Sequence, residues 1–594
     1  MKVWAEEHVP EILRRKWVAI VGLIVVWFAL ARFLKGVHTL DLGNSQDTPT
    51  TEFLGEVASG IRGARAENPI FVYVLNPFRQ AIEIFIDAIR SVISDPAPGA
   101  VIPIIGWLGV LAIIGLIVFA TSNWRMALVA MALVFSCGVL GMWTYAMDTL
   151  ALTMGAVFLS LAIAMPLGVW AGLNDRVMSF LRPILDLAQI TPTLVYLAPL
   201  ALVFLIGVAA STIATMIYSI PIGIRITAYA IRNLQKGPLE AADSMGSTRW
   251  QKLRKVQLPM AKRTIILGVN QTTLAALSFV VIAALIGAPG LGEPVIRALS
   301  IRNIGDGVTA GLAVVLLAIM LDRSTTAAVV RSDQIPPTGQ ALLYRRVSLA
   351  VAGIVTVLAI MLSRQQLWAA VFPASLDFRD EIGGWVDSFT EWFTTTFYFL
   401  TTSFNEVFTL NILNPIEYLL ADAPWYLTII MISLLAAIIG GRSVAILSAV
   451  LLLLIVWIGL WNDTMITLTQ VLIATSIVML IGVILGVAAG RSSKVEQVLK
   501  PFLDAGQTLP AFVYLVPVLA LFGPTRFAAI VCGVFYASPI VVRIIADGVR
   551  GVPKEMVESA ISSGSSTSQV VMKVQLPASR KSLLLGMNQG LIFV

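Results

Sequence analysis

The side chains that most often carry out catalysis or bind metals are scarce in this sequence. Its only histidines, His8 and His38, flank the first apolar run, and its only cysteines, Cys137 and Cys532, lie at unrelated positions inside apolar runs. A metal site or an acid–base site needs several such groups close together, which these spacings do not provide. The sequence also contains no Gly-Lys pair, and therefore no Gly-rich loop of the type that cradles nucleotide phosphates. We expect no catalytic residue, no metal and no cofactor in this chain.

Polar, proline and aromatic residues do recur at matching positions of the apolar runs. A constant shift of 318 residues pairs Gln189 with Gln507, Pro192 with Pro510, Tyr196 with Tyr514 and Tyr218 with Tyr536. Prolines permit kinks in membrane helices, and a tyrosine ring can attract a methylammonium cation by about 0.5–2 kcal/mol. These eight residues are candidates for a substrate pathway. Helix packing and interhelical hydrogen bonding remain open as alternative roles.

Two polar loops carry a second repeated pattern. The first reads Leu239-Glu-Ala-Ala-Asp-Ser-Met-Gly246 and continues to Leu258-Pro259, and the second reads Val557-Glu-Ser-Ala-Ile-Ser-Ser-Gly564 and continues to Leu576-Pro577. The same shift places Glu240 on Glu558, Ala241 on Ser559, Ala242 on Ala560, Gly246 on Gly564 and each Leu-Pro on the other. The pattern predicts a short helix with small side chains, a glycine that ends it, and a second segment closed by proline. One such loop is typical of a solvated turn, whereas two copies in register favour a docking site.

The elements that must position these residues are membrane helices. The chain has 594 residues, of which 58% are hydrophobic and 13% charged, and its mean hydropathy is +0.87. Runs of roughly 20 apolar residues, enough to cross a bilayer as a helix, recur along the chain. In the first half they lie at about 17–34, 101–121, 126–146, 150–173, 184–206, 208–224, 266–287 and 308–322. The sequence therefore predicts an all-α protein that crosses the membrane many times.

The distribution of charge orients these spans. The net charge of +7 comes from Arg and Lys residues beside the apolar runs rather than from one basic domain, which argues against nucleic-acid binding. With Arg14–Lys16 in the cytoplasm, eight crossings bring the chain back inside at Asp322 and Arg323, and the basic loop 225–265 also lies inside. The prediction is a multi-pass protein of the bacterial inner membrane with a cytoplasmic N-terminus.

The second half repeats the first after a polar linker. We predict a first permease-like repeat at 1–323, a cytoplasmic linker at 324–346 and a second repeat at 347–594, each of about eight membrane helices. New apolar runs lie at about 347–363, 425–441, 444–460, 468–490, 502–522 and 526–542. Repeats in the same membrane orientation are related by an axis along the membrane normal, which suits a central pathway. Val594 aligns with Ala276, so the second repeat is incomplete here, and we expect a natural protein to continue beyond it.

Each half also has a long segment outside the membrane after its first span. In the segment 36–100, polar and apolar residues from Phe78 to Ser94 lie on opposite helical faces, which predicts an amphipathic helix at the membrane surface. The segment 364–424 shows the same tendency with more aromatic residues. Bracing of the helix bundle and contact with an external partner are both open roles for these segments.

The paired loops resemble the signature loop of bacterial ABC importer permeases, which docks into a groove on the ATPase subunit. Further stretches are similar to the glycine betaine, proline and quaternary-amine branch of that family: Thr149–Gly155, Pro166–Val169, Gln189–Thr193 and Gly287–Gly292. The resemblance covers about 140–320 and 460–594. Two departures are Ser559 in place of an alanine and the fusion of both halves in one chain, since such permeases usually pair two separate chains.

The resemblance implies both a function and a set of partners. The chain would carry a small osmolyte inward, such as glycine betaine, choline or trimethylamine N-oxide, received from a soluble substrate-binding protein. Two copies of a separate ABC ATPase would bind ATP and Mg and engage the two loops, so the chain itself is not an enzyme. The rival interpretations are a secondary transporter driven by an ion gradient and a structural membrane scaffold. Which osmolyte is carried stays open.

Overall fold

The computed structural model describes residues 2–34, 48–96, 102–332 and 339–594. Within these ranges every regular element is a helix. Eight helices are long and apolar enough to cross a membrane, and three bent helix pairs bring the number of candidate spans to as many as eleven. The predicted all-α, multi-spanning fold is therefore confirmed.

The helices before the linker are numbered along the chain. They are α1 (Lys2–Leu34), α2 (Pro49–Ala64), α3 (Asn76–Ile93), α4 (Trp107–Thr121), α5 (Trp124–Val139), α6 (Trp143–Leu173), α7 (Asp175–Ile190), α8 (Leu197–Phe204), α9 (Val208–Arg232), α10 (Lys236–Ser244), α11 (Arg249–Lys252), α12 (Leu258–Ala283), α13 (Gly292–Ile301) and α14 (Ile304–Ser332).

The helices after the linker continue the numbering. They are α15 (Gly339–Gln365), α16 (Leu367–Ala370), α17 (Arg379–Thr396), α18 (Phe404–Phe408), α19 (Asn414–Glu417), α20 (Trp425–Gly440), α21 (Arg442–Ile458), α22 (Trp461–Arg491), α23 (Ser493–Thr508), α24 (Ala511–Phe522), α25 (Arg526–Arg550), α26 (Lys554–Ser562), α27 (Thr567–Val570), α28 (Leu576–Ala578) and α29 (Arg580–Phe593).

The contacts divide the chain into two compact units, which we name for their place in the sequence. The central unit comprises Ala64–Phe393 and Asp504–Ala520, and the flanking unit comprises Met1–Gly63, Thr394–Leu503 and Leu521–Val594. These units do not follow the two sequence repeats, because each draws on residues from both halves of the chain. The repeat boundaries at 1–323 and 347–594 describe the order of the sequence and stay a prediction.

The central unit is built around α6, α9 and α12, which pack on one another, with α14 against α5, α12 and α13. Glycines of α6 set the distance to α9. A Cβ added at Gly168 would lie 2.6 Å from the Cβ of Thr227, and one added at Gly172 would lie 2.7 Å from the Cβ of Ile231. Small residues at a spacing of four let membrane helices approach closely, and that approach makes the interhelical contact.

The flanking unit contains the same contact in its second copy. Here α22 packs against α25, with α29 beside both. A Cβ added at Gly486 would lie 2.9 Å from the Cβ of Ile545, and one added at Gly490 would lie 2.9 Å from the Cβ of Val549. These glycines correspond to Gly168 and Gly172 under the 318-residue shift, so the repeat seen in the sequence is also a repeat of helix packing.

The first span of each half packs against helices of the other half. In the central unit α15 lies along α4, where the Thr356 hydroxyl group donates to the Ala112 carbonyl at 3.3 Å and the Gly109 amide donates to the Ser363 hydroxyl at 3.2 Å. In the flanking unit α1 packs on α20, and its Trp27 is buried there. This exchange of first spans explains why the compact units mix the two halves.

The predicted amphipathic segment after the first span is the helix α3. Its Ile82 and Ile86 are buried, and α3 packs against α6 and α9. At its end the Arg90 Nε group donates to Asp148 Oδ1 at 2.9 Å, and the Ser94 hydroxyl donates to the same oxygen at 2.7 Å. Burial alone would lower the pKa of Arg90, but the hydrogen bond and charge of Asp148 outweigh it and raise that pKa. A buried ion pair therefore joins α3 to the start of α6.

We expect Asp148→Asn to destabilise the protein by about 2–3 kcal/mol, because it leaves a mostly buried guanidinium without its main counter-charge. The measurement is the midpoint of thermal unfolding in detergent. The control is Asp87→Asn, since Asp87 also pairs with Arg90, at 3.3 Å, but its side chain is 56% exposed. Exposed pairs contribute about 0–1 kcal/mol, so equal losses of stability in the two variants would contradict a special role for Asp148.

Candidate functional site

The first repeated loop is a short helix ended by a glycine. After α10, the Met245 amide donates to the Ala241 carbonyl at 3.1 Å and the Ser247 amide donates to the Ala242 carbonyl at 3.1 Å. Gly246 lies between these donors with φ +73°, and an added Cβ there would meet open space. The left-handed backbone, rather than crowding, therefore favours glycine at this position. The predicted helix and its glycine stop are both present.

The second loop has the same backbone at the matching residues. After α26, the Ser563 amide donates to the Ser559 carbonyl and the Ser565 amide donates to the Ala560 carbonyl, both at 3.0 Å. Gly564 has φ +79° and open space around its missing Cβ. The two loops thus end their first helices through the same hydrogen bonds.

Both loops then begin a second helix with a reciprocal cap. The Gln251 amide donates to the Thr248 hydroxyl at 3.3 Å, while the Thr248 amide donates to the Gln251 side-chain oxygen at 2.9 Å. Ser566 and Gln569 make the same two bonds at 3.3 and 2.8 Å. These caps were not predicted from the sequence, although Ser or Thr followed three residues later by Gln is the known signal for such a cap.

The Leu-Pro step of the first loop differs from the prediction, because Pro259 does not close a segment. Pro259 lies in the first turn of α12, directly after a π-helical turn at Leu253–Gln257, and the chain stays helical throughout. In that turn the Leu258 amide donates to the Leu253 carbonyl, five residues back. A wider turn accommodates the missing N–H of the following proline without breaking the helix. Pro577 also follows a π-helical turn, at Val571–Gln575, but its helix ends at Ala578 and a new helix begins at Arg580.

The side chains at the surface of the two loops are unequal. Glu240, Ala241, Glu558 and Ser559 are exposed, whereas Ala242 is buried against its own loop. In the first loop Met245 and Trp250 are 80% and 67% exposed, and the corresponding residues of the second loop are Ser563 and Ser568.

An ion pair braces the first loop. Lys252 Nζ lies 2.7 Å from Asp243 Oδ1, and it bridges α10 to α11. The second loop has Val570 and Ile561 at the matching positions, and Val570 is buried. The shared backbone of the loops is therefore supported by different side chains.

Three of the pathway candidates, Gln189, Pro192 and Tyr196, lie at or near a broken span. The single span expected at 184–206 is instead a helix pair, Asp175–Ile190 and Thr193–Phe204, bent by 103°. Pro192 lies at the break, and the Tyr196 hydroxyl donates across it to the Ala188 carbonyl at 2.6 Å. Near the matching break, the Tyr514 hydroxyl donates to the Gly506 carbonyl at 2.7 Å. Each tyrosine therefore ties the second helix of its pair back to the first.

The other pathway candidates lie in different surroundings. Tyr196 and Tyr218 pack against one apolar cluster of the central unit, where the Tyr218 ring centroid is 5.4 Å from that of Phe279. In the flanking unit the Tyr536 ring lies 5.9 Å from the Phe593 ring. The side chains of Gln189 and Gln507 are exposed, Pro192 is exposed and Pro510 is buried. Within residues 2–34, 48–96, 102–332 and 339–594, no three His, Cys, Asp or Glu residues are grouped as a metal site would require.

Comparison with known proteins identifies the family. The family model described as "binding-protein-dependent transport system inner membrane component" matches residues 164–334 and 479–593, once in each half of the chain. The trimethylamine N-oxide transport system permease protein TmoV of Ruegeria pomeroyi is 31% identical over 525 residues, which cover 86% of this chain and 78% of the relative.

Two further similarities cover shorter parts of the chain. The glycine betaine transport system permease protein OpuAB of Bacillus subtilis is 42% identical over 214 residues, which cover 35% of this chain and 76% of the relative. Among solved structures, a chain of the MetNI methionine ABC transporter aligns with 32% of this chain and 94% of its own length, at 21% identity and a TM-score of 0.30. The extended match to TmoV and the two family segments, one in each half, show that this chain belongs to the family of binding-protein-dependent transport system inner membrane components, the permeases of ABC importers.

Proposed function

We propose that this chain carries a small quaternary-amine or related osmolyte, of the trimethylamine N-oxide, glycine betaine and choline class, into the bacterial cytoplasm. A soluble binding protein delivers the solute from outside, and two copies of a separate ATPase subunit supply the energy by hydrolysing ATP with Mg. The observation that carries this proposal is the pair of loops with one backbone geometry in register. The names of the relatives support the class of solute.

In this proposal a force on either loop is transmitted to the membrane helices that adjoin it. In the central unit α10 follows α9 after a short turn, while α11 runs through the π-helical turn into α12 without a break. At the root of the loop the Arg232 guanidinium donates to the Ala171 carbonyl at 2.8 Å, which ties α9 to the end of α6. Displacement of the exposed face around Glu240 and Ala241 would therefore move α9 and α12 together.

The second loop offers the same connection within the flanking unit. Its root residue Arg550 corresponds to Arg232 and pairs with Glu496 at 2.7 Å, which ties α25 to α23. In this proposal Glu558, Ser559, Ala560, Gly564, Leu576 and Pro577 meet one ATPase subunit, and Glu240, Ala241, Ala242, Gly246, Leu258 and Pro259 meet the other. Both loops then lie in the cytoplasm, as does the N-terminus.

We expect Gly246→Val to uncouple ATP hydrolysis from uptake. A β-branched residue at φ +73° costs about 1–3 kcal/mol of strain, which would unwind the end of α10 and lower ATP-dependent uptake by about tenfold. Uptake and ATPase rate are measured together in liposomes that contain the purified permease, its ATPase and its binding protein.

The matched control for this variant is Gly441→Val. Gly441 has φ +87° and open space around its missing Cβ, but it lies in the turn between α20 and α21 rather than in either loop. The double variant Gly246→Val with Gly564→Val should lose uptake entirely. Undiminished uptake in that double variant, or an equal loss in the control, would rule out the docking role of the loops.

We expect the Tyr196 hydroxyl, rather than its ring, to shape the broken span. Tyr196→Phe removes the donor to the Ala188 carbonyl and should lower the maximal uptake rate several-fold with little change in the solute concentration at half-maximal rate. The control is Tyr229→Phe, on the exposed side of α9, which should leave uptake unchanged. If the ring instead binds the cation, Tyr196→Phe would behave as wild type and only Tyr196→Ala would weaken affinity, which would contradict the proposed clamp.

The energy source and the solute can be tested together. We expect radiolabelled glycine betaine or trimethylamine N-oxide to accumulate in the reconstituted vesicles only when ATP is present on the side of the ATPase. A Na⁺ or H⁺ gradient without ATP should drive no uptake. Accumulation driven by the gradient alone would favour the secondary transporter, and uptake of neither solute under any condition would remove this solute class.

A further inference from the structure

A groove of the central unit lies between α4, α5 and α15. Its volume is about 950 Å³, and it is lined by apolar side chains such as Leu111, Phe119, Met131 and Leu362. The lining is almost free of polar groups, and the Thr356 hydroxyl that faces it donates to the Ala352 carbonyl at 2.8 Å. Cavities of roughly 300–1,000 Å³ are the usual size of small-molecule sites. The groove is therefore large enough for a ligand but suited only to an apolar one.

The shape of the groove fits a long, thin occupant. Its lining runs along α15 from Ala352 to Gln365, which is roughly 20 Å at the helical rise of about 1.5 Å per residue. One leaflet of a bilayer contributes about 15 Å of hydrocarbon, half of the total thickness. An acyl chain matches this length, and the groove belongs to three helices that are long or apolar enough to lie in the membrane.

Arginine side chains gather at one end of the groove. A guanidinium nitrogen of Arg345 lies 3.4 Å from the carbonyl oxygen of Ala120, next to the groove-lining Phe119. The positive charge of Arg345 acts unfavourably on that of Arg331. Arg125 lies at the same turn, with its guanidinium carbon 5.6 Å from the ring centroid of the groove-lining Trp124.

These cations have no counter-charge among the residues that the structure describes. Across the described part of the chain, no carboxylate forms an ion pair with Arg125, Arg331 or Arg345. Neighbouring positive charges without an acid raise the energy of the protein unless an anion lies between them. An apolar channel that ends at such a cluster is complementary to a molecule with a long hydrocarbon tail and a negatively charged head.

We propose that the groove binds an anionic phospholipid, with one acyl chain between α4 and α15 and the headgroup phosphate at Arg331 and Arg345. The lipid would lie beside the contact between α4 and α15, the first span of the second half. Arginine also suits this role because its guanidinium group can bind phosphate oxygens through two parallel hydrogen bonds. The proposal depends on the membrane location of these helices and not on the identity of the transported solute.

The test uses the full chain in lipid nanodiscs that contain a trace of phosphatidylglycerol with a photoreactive acyl chain. After illumination, peptide mass spectrometry should locate cross-links on α4 and α15. Unlabelled phosphatidylglycerol should compete with the probe about 30-fold better than phosphatidylcholine, which corresponds to about 1 kcal/mol for each of the two arginines. Equal competition by the two lipids, or no cross-links on these helices, would overturn the proposal without the need for any variant.

Variants test the headgroup site and the acyl-chain groove separately. Arg331→Gln with Arg345→Gln should abolish the preference for phosphatidylglycerol, while Arg331→Lys with Arg345→Lys should retain most of it. Ala359→Phe should block the groove and remove the cross-links with either lipid. The matched control is Arg442→Gln, at the corresponding turn between α20 and α21, which should leave the cross-links on α4 and α15 unchanged. An unchanged preference for phosphatidylglycerol in the glutamine double variant would contradict the assigned headgroup site.

Discussion

The close approach of two helix pairs is the contact on which the rest of the structure depends. In the central unit α6 and α9 meet at Gly168 and Gly172, and in the flanking unit α22 and α25 meet at Gly486 and Gly490. Membrane helices gain little from burying apolar surface against each other, because lipid is equally apolar, so tight packing of backbones supplies much of the attraction. Glycines separated by four residues provide such a surface along one face. Any side chain there would push the second helix outward and displace the loop that follows it.

The position of each loop is set by one of these helix pairs. Because α9 and α25 lead almost directly into α10 and α26, the orientation of each loop follows from the helix before it. The loops add their own rigidity through the glycine-ended first helix and the reciprocal cap of the second, and the first loop also through the unbroken helix beyond its π-helical turn. A flexible loop would absorb a displacement within itself. A loop held by these hydrogen bonds would pass the displacement to the membrane helices, as the proposed coupling role requires.

The sequence was sufficient to predict the helical class and the glycine-ended first helix of each loop, because both depend on near neighbours in the chain. Gly246 and Gly564 signal a helix end through their own backbone freedom. The packing of α15 on α4 and of α1 on α20 could not be predicted, since the sequence of an apolar span does not specify which other span it contacts. The broken span was missed for a related reason: hydropathy stays high across Pro192, and the hydrogen bond across the bend joins Tyr196 to a residue eight positions earlier. The π-helical turns before Pro259 and Pro577 were missed because proline was taken as a stop signal, although in the first turn of a helix its lost N–H costs little.

The difference between the two loops follows from how their shared shape is maintained. The backbone hydrogen bonds on either side of Gly246 and Gly564 agree to within 0.1 Å, since both are 3.1 Å long in the first loop and 3.0 Å long in the second. Yet the first loop adds an ion pair between Lys252 and Asp243, and the second has apolar residues at the same sites. An exposed ion pair contributes little to stability, so its absence from the second loop has little effect on the fold. The side chains can therefore differ freely wherever they face outward, as Met245 and Trp250 differ from Ser563 and Ser568. Under the proposed docking, two identical ATPase subunits would meet one backbone shape with two different surfaces, which expose Met245 and Trp250 on the first loop and Ile561 and Met572 on the second.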